Sequence, residues 1–166
     1  MPRSFEIVSE SAATVEQIHA AFAREDYWLD RLAGDAASTL DSFSADADGV
    51  VEVLITQHLG HQILPSVVAN FVPGDMKLLY RETWQPDADG GVRGESHVSA
   101  SGGLGSSRAE NYLTASGAAS QLRSTGKVIV KIPLVGSKLE KSISESLANS
   151  IPATLRYTTT WIAEHG

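Results

Sequence analysis

Glu82 is the residue in this sequence best placed for acid–base chemistry. It stands in "MKLLYRETWQP" (76–86), whose alternation puts Leu78, Tyr80, Glu82 and Trp84 on one face of a strand and Lys77, Arg81 and Thr83 on the other. If the first face points inward, a carboxylate sits among aromatic rings. Desolvation then lifts its pKa above the ordinary value of about 4.3 and fits it to give or take a proton, with Tyr80 as helper. The competing reading is a Glu82 paired with an inward arginine or hydrogen-bonded to a tyrosine, the usual fate of a buried carboxylate. Tyr80 and Trp84 are likewise either platforms for a ligand or plain core.

Other chemistry finds little support. The chain has no cysteine, which excludes disulfides, thiolate metal sites and a cysteine nucleophile. His58 and His61 form an H-x-x-H, but it spans a strand end and a loop, and no third ligand is near, so no metal site is expected. His97 alternates with Arg93 and Glu95 and reads as solvated; His19 sits beside the apolar stripe of a helix as a partly exposed residue. "GGLGSS" (102–107) resembles a phosphate loop in composition, but no lysine follows and no helix begins there. With no G-x-S-x-G elbow, nucleophilic catalysis has no machinery, and no cofactor is implied.

The elements that would position these residues are legible from periodicity. Residues 3–9 alternate as a first strand; Thr14 and Gln17 fit a capping box for a helix over 15–24, with Val15, Ile18, Ala21 and Phe22 on one face. A second short helix is predicted at 26–33, capped by Asp26, with Trp28, Leu29 and Leu32 inward. From residue 36 to 132 the pattern has period two. Strands are predicted at 36–46, 50–58, 76–86, 92–99, 109–116 and 120–132, with Pro65 marking 63–71 as a short helix or irregular crossover. The last stretch carries Leu139, Ile143, Leu147, Ile151, Leu155, Thr158 and Ile162 at helical spacing, a single stripe on a helix about 40 Å long. Pro152 should bend it, either to follow the curvature of a sheet or as a hinge that admits a ligand.

A meander of six or seven strands has one apolar face to cover, and the terminal helix is the one element long enough to do it. A strongly twisted sheet curls around such a helix and leaves space between the two, closed at one end by the short helices. The fold class is therefore α+β, read as one domain over residues 1–166. "MPRSFEI", "EDYW", "PGDMKLLYRETW", "VKIPLVGSKLE" and "IPATLRYTTTWIAE" resemble a bacterial family of unknown function. That family lies within the START-like helix-grip superfamily of polyketide cyclases/dehydrases and lipid-transport proteins. The resemblance implies an elongated cavity for lipids, sterols or polyketides, in which some members catalyse cyclisation or dehydration and many bind and carry.

The inward faces supply a candidate ligand lining. It consists of Trp28 from the second helix, Val53, Ile55 and Gln57, then Leu78, Tyr80, Glu82 and Trp84, then Val128 and Val130, with Ile151 and Leu155 from the terminal helix. Small inward residues, Gly94, Ser96, Ser124 and Gly126, favour a void over a filled core. The net charge of −7 argues against nucleic acid and against adhesion to an anionic membrane surface. No apolar run reaches the ~18 residues of a membrane span, and no leader is apparent, so a cytoplasmic protein that is not an integral membrane protein is expected. The reading this supports best is a carrier of an apolar or amphipathic small molecule, as monomer or homodimer. The alternatives are a cyclase or dehydratase using Glu82, and a non-catalytic interaction domain with a filled core.

Overall fold

The computed structural model describes residues 2–117 and 119–165. Strand β1 (Arg3–Ser11) leads into helices α1 (Val15–Phe22) and α2 (Glu25–Leu32), followed by β2 (Ser38–Ala45) and β3 (Val51–Leu59). A crossover carries a 3-10 turn (His61–Ile63) and the one-turn helix α3 (Ser66–Ala69). Then come β4 (Met76–Pro86), β5 (Val92–Ala100), β6 (Gly105–Ser116), β7 (Ala119–Val130) and the terminal helix α4 (Gly136–His165). Among the described residues, seven strands form one curved antiparallel sheet in the order β1-β7-β6-β5-β4-β3-β2. The first strand thus pairs with the last, and α4 returns from the end of β7 to lie along β1 and β7.

Local chemistry explains most element boundaries. The capping box forms as its spacing predicts: Gln17 N–H donates to Thr14 Oγ1 at 3.1 Å, and Thr14 N–H to Gln17 Oε1 at 2.9 Å. Helix α2 begins one residue earlier than the sequence suggests, with Arg24 as its N-cap. Asp26 lies inside the first turn, where its carboxylate accepts from the Arg24 guanidinium and the Tyr27 N–H. The inward face of α2 is also rotated. Tyr27 and Trp28 are fully buried, while Leu29, expected inside, is 51% exposed. The aromatic pair wins because it buries more apolar surface and because both polar tips find partners. Tyr27 Oη donates to Thr158 Oγ1 at 2.5 Å, and Trp28 Nε1 to the Phe22 carbonyl at 2.8 Å. Strand β6 begins at Gly105, four residues before its expected start, because Gly105 lies against β7. A Cβ there would sit 2.6 Å from the Ile129 carbonyl oxygen, so glycine alone lets the ladder extend.

Helix α4 is held at both ends. Near its start Glu140, 2% exposed, accepts the N–H of Val130, the last residue of β7, at 2.9 Å. Near its end Thr159 bonds Ser11 at 2.6 Å, and Trp161 Nε1 donates to Asp30 at 2.9 Å. The helix runs unbroken through Pro152. Ser9, Ser120 and Ser124 are buried small residues of β1 and β7 and let α4 approach those strands closely.

The packed core gathers at the α1/α2 end. Phe22 lies 4.7 Å from Trp84, and Tyr27 5.2 Å from both Trp28 and Trp161, measured between ring centroids. Two glycines expected to leave space do not. The Trp84 indole occupies the place of a Gly94 side chain, whose Cβ would meet Trp84 Cε3 at 2.6 Å. A Cβ on Gly126 would fall 2.1 Å from the Arg108 carbonyl oxygen.

Two substitutions test this packing. Gly94→Ala forces the Trp84 ring from its seat and is expected to lower unfolding free energy by about 1–3 kcal/mol, measured as a shift in denaturant midpoint. Glu140→Ala strands the Val130 amide and costs about 1–3 kcal/mol in the same measurement. Glu140→Gln keeps an acceptor oxygen and costs less.

Candidate functional site: an apolar cavity under the first half of the terminal helix

The interior is divided. At the α1/α2 end it is filled by aromatic rings; at the other end a cavity of about 450 Å³ opens between sheet and helix. Its roof is the first half of α4, through Leu139, Ile143 and Leu147. Its floor is the inner face of β4 to β7, with Leu78, Tyr80, Val98 and Val128 among the residues that line it. The crossover between β3 and β4 forms the remaining wall with Ile63, Leu64, Pro65 and Val68. Ile63 and Ile143 both line the cavity and stand exposed, at 63% and 38%, so they mark its rim. A smaller depression of about 280 Å³ lies between Glu10, Ser11 and Ala12 on one side and Ser116, Ala119 and Ser120 on the other, where no large apolar side chain forms a wall.

The predicted lining residues separate into three groups. Leu78, Tyr80, Val128 and Val130 stand on the cavity wall. Trp28, Val53, Trp84 and Leu155 are buried in the packed cluster, with Ile55 and Ile151 against it. Gln57 and Glu82 lie between, half-buried and already engaged. Tyr80 Oη donates to Gln57 Oε1 at 3.0 Å, and Gln57 Nε2 donates to Asp35 Oδ2 at 3.2 Å. The Ser38 hydroxyl and the Ala37 N–H also donate to Asp35 and hold its carboxyl below the usual range. Burial, and then the nearby Asp35 charge, push the Tyr80 phenol up, so it stays protonated.

Glu82 is not on the cavity wall. Its Oε1 accepts the Trp84 indole N–H at 2.9 Å. Arg31 belongs to the same neighbourhood, with its guanidinium 4.9 Å over the Trp28 ring. Burial works against the Arg31 charge, but the Glu82 carboxylate and Tyr27 outweigh it and hold the Arg31 pKa above its ordinary value. The Glu82 carboxylate therefore lies within the field of an arginine from a different element, as well as in a hydrogen bond. The histidines make structural contacts. His19 Nε2 lies 2.7 Å from the Gly49 carbonyl oxygen, and His61 Nε2 lies 3.1 Å from that of Ala69, which ties the crossover together.

The wall residues absent from the sequence-derived lining include those of the crossover and the first half of α4, together with strand residues such as Val98 and Ala100 of β5 and Ser106 and Ser107 of β6. Leu139, Ile143 and Leu147 belong to the same stripe as Ile151 and Leu155, and periodicity does not say which part of a stripe meets side chains and which meets space. The crossover carries a usable signal: "ILPSVVANF" is apolar yet interrupted by Pro65, so it cannot be a buried strand and must cover something.

This architecture recurs in solved structures. A protein of Thermus thermophilus superposes with a TM-score of 0.61 at 12% identity over 99% of both chains. The Zhui aromatase/cyclase of Streptomyces sp. R1128 superposes with a TM-score of 0.59 at 11% identity, covering 98% of this chain and 94% of that one. At such identities the likeness shows the fold, which is the START-like helix grip. An uncharacterised protein of Mycobacterium tuberculosis strain H37Rv is 32% identical over 175 residues, 99% of each chain. Residues 6–162 match the family described as protein of unknown function (DUF2505), and the chain belongs to that family.

Proposed function

We propose that this protein binds and carries an apolar or weakly amphipathic small molecule, of lipid, sterol or polyketide-like character, in the cavity beneath the first half of α4. The observation that carries the reading is the unfinished burial of the α4 stripe. Leu155 is 3% exposed, yet Ile143, on the same stripe, is 38% exposed over a void of about 450 Å³. A volume of that size falls within the roughly 300–1,000 Å³ of small-molecule sites.

The energetics favour an apolar guest. Each methylene moved from water into such a wall is worth roughly 0.8 kcal/mol. Ten of them give about 8 kcal/mol, enough to exceed the lower estimates, about 4 kcal/mol, for lost translational and rotational freedom. Polar recognition is not needed for affinity. The Tyr80–Gln57–Asp35 chain gives the cavity one polar wall residue with a fixed bonding direction, which serves orientation. Leu78, Tyr80, Val128 and Val130 are the sequence-derived residues that would touch the guest, together with Leu139, Ile143 and Leu147.

The test is saturable binding of cis-parinaric acid by fluorescence, with lipid extraction and mass spectrometry of freshly purified protein to identify the natural guest. Leu147→Trp fills the cavity and is expected to weaken the probe at least tenfold with an unchanged far-UV spectrum. Leu79→Trp, on the exposed face of β4, should leave it unchanged. Equal affinity in both variants, or no saturable binding of fatty-acid, sterol or polycyclic aromatic probes, overturns the proposal.

A further inference from the structure

The net charge of −7 averages over two unlike ends. The chain has five lysines, and each lies within two residues of a cavity-lining residue: Lys77 and Lys127 alternate with wall residues and so fall on the outer face of the sheet, while Lys131, Lys138 and Lys141 stand just past the end of β7 and in the first turns of α4. Lys77 lies between the wall residues Met76 and Leu78, and Lys131 between Val130 and Ile132. Lys127 precedes Val128, Lys138 precedes Leu139, and Lys141 falls midway between Leu139 and Ile143. Each is exposed. Among the described residues no lysine is in an ion pair, whereas Arg24, Arg81, Arg93 and Arg123 each hold a carboxylate. Acidic groups on the cavity-end segments are few, and two of them are engaged: Glu140 is buried on the Val130 amide, and Asp75 accepts the His61 N–H. Other carboxylates stand at the far end of the strands, among them Asp46 and Asp48 in the β2–β3 turn and Asp87 and Asp89 in the β4–β5 turn.

The same end displays apolar side chains to water. Leu134, in the turn between β7 and α4, is fully exposed and adopts φ 71°, a left-handed conformation that a leucine adopts only at a cost. Ile63 and Ile143 stand exposed on the cavity rim, and Phe71 of the crossover is 48% exposed. A surface that combines unpaired lysines with protruding aliphatic groups matches one partner chemistry closely. Nucleic-acid phosphates would use the lysines and leave Leu134 and Ile63 without a partner. The interface of an anionic bilayer takes both, with lysines at the phosphates and apolar side chains among the upper acyl carbons.

We propose that the cavity end is a docking surface for an anionic lipid bilayer, with Lys131, Lys138 and Lys141 facing the headgroups and Leu134 and the rim residues entering the interface. Docking in this way turns the cavity mouth toward the membrane. A guest then passes between bilayer and cavity without crossing water.

The test is co-sedimentation of the full chain with vesicles of phosphatidylcholine alone and of phosphatidylcholine with phosphatidylglycerol in equal parts. At about 50 mM salt the partition coefficient is expected to be at least tenfold higher on the anionic vesicles, and at about 500 mM that preference should vanish. The triple variant Lys131→Glu, Lys138→Glu, Lys141→Glu should lose the preference, and Leu134→Asp should weaken partition with every lysine in place. Arg156→Glu, on the second half of α4, should change neither. Equal partition on both vesicles, an unaffected triple variant, or an unaffected Leu134→Asp variant overturns the proposal. The readout needs no guest, so its failure leaves the carrier reading standing, and loss of parinaric acid binding leaves this one standing.

Discussion

One helix cannot cover seven strands, and the rest of this structure follows from that mismatch. Strands spaced about 4.8 Å apart make the sheet roughly 30 Å wide, while a helix with its side chains is about 10–12 Å across. Curvature narrows the gap but does not close it. Helix α4 therefore lies along one side, on β1 and β7, where serines let it approach and where Glu140 and Thr159 fasten its two ends. The inner face of β3, β4 and β5 has to be covered by something else. At one end α1 and α2 supply Phe22, Tyr27 and Trp28, which reach across the width with rings. At the other end a short crossover with a one-turn helix forms the cover, and it has no large ring facing inward. The cavity is the volume by which the second cover falls short of the first.

This division also sorts the polar groups. Where the interior is packed, the larger inward polar side chains are tied to neighbours: Glu82 to the Trp84 indole and the Arg31 charge, Tyr27 to Thr158, and Asn111 of β6 to Ser96 of β5, whereas the buried hydroxyls of Ser9 and Ser124 have no partner. Low-dielectric surroundings make an unpaired group costly there, so the networks act as locks on the aromatic cluster. Over the cavity the wall is mostly aliphatic, with Tyr80 directed toward Gln57 and the serines of β6 at the margin. A carboxylate held by an indole N–H inside the locked half contributes to architecture. Acid–base chemistry on a guest would require that carboxylate to face the other half.

Much of the fold was legible because it is carried by local patterns. Alternation marks the strands, Thr14 and Gln17 announce α1, and a stripe of seven residues announces α4. What failed locally did so for tertiary reasons. Leu29 yielded the inside of α2 to Tyr27 because a threonine more than a hundred residues away offered a partner for the phenol. Gly94 and Gly126 read as space because a missing side chain looks the same whether a neighbour fills its place or not. The cavity wall was legible only in small part on the same grounds. Leu78, Tyr80, Val128 and Val130 follow from inward phase alone, whereas the role of Leu139 or Ile63 depends on how far opposing surfaces stand apart, a distance that no single segment encodes. Charge placement was hidden in another way, since summing the formal charges erased a segregation that became visible once the strands were laid side by side.

Pro152 sits at the boundary between the two regimes. Having no N–H, it leaves the Ala148 carbonyl without its helical donor, and the interruption falls just past Leu147, the last α4 residue on the cavity wall. The rod is thus continuous in shape but divided in cooperativity. The turns downstream are pinned by Thr158, Thr159 and Trp161, and those upstream rest on Glu140 and an unfilled space. Backbone protection should step down across this seam, so the roof of the chamber is free to breathe while the segment that defines the fold keeps still.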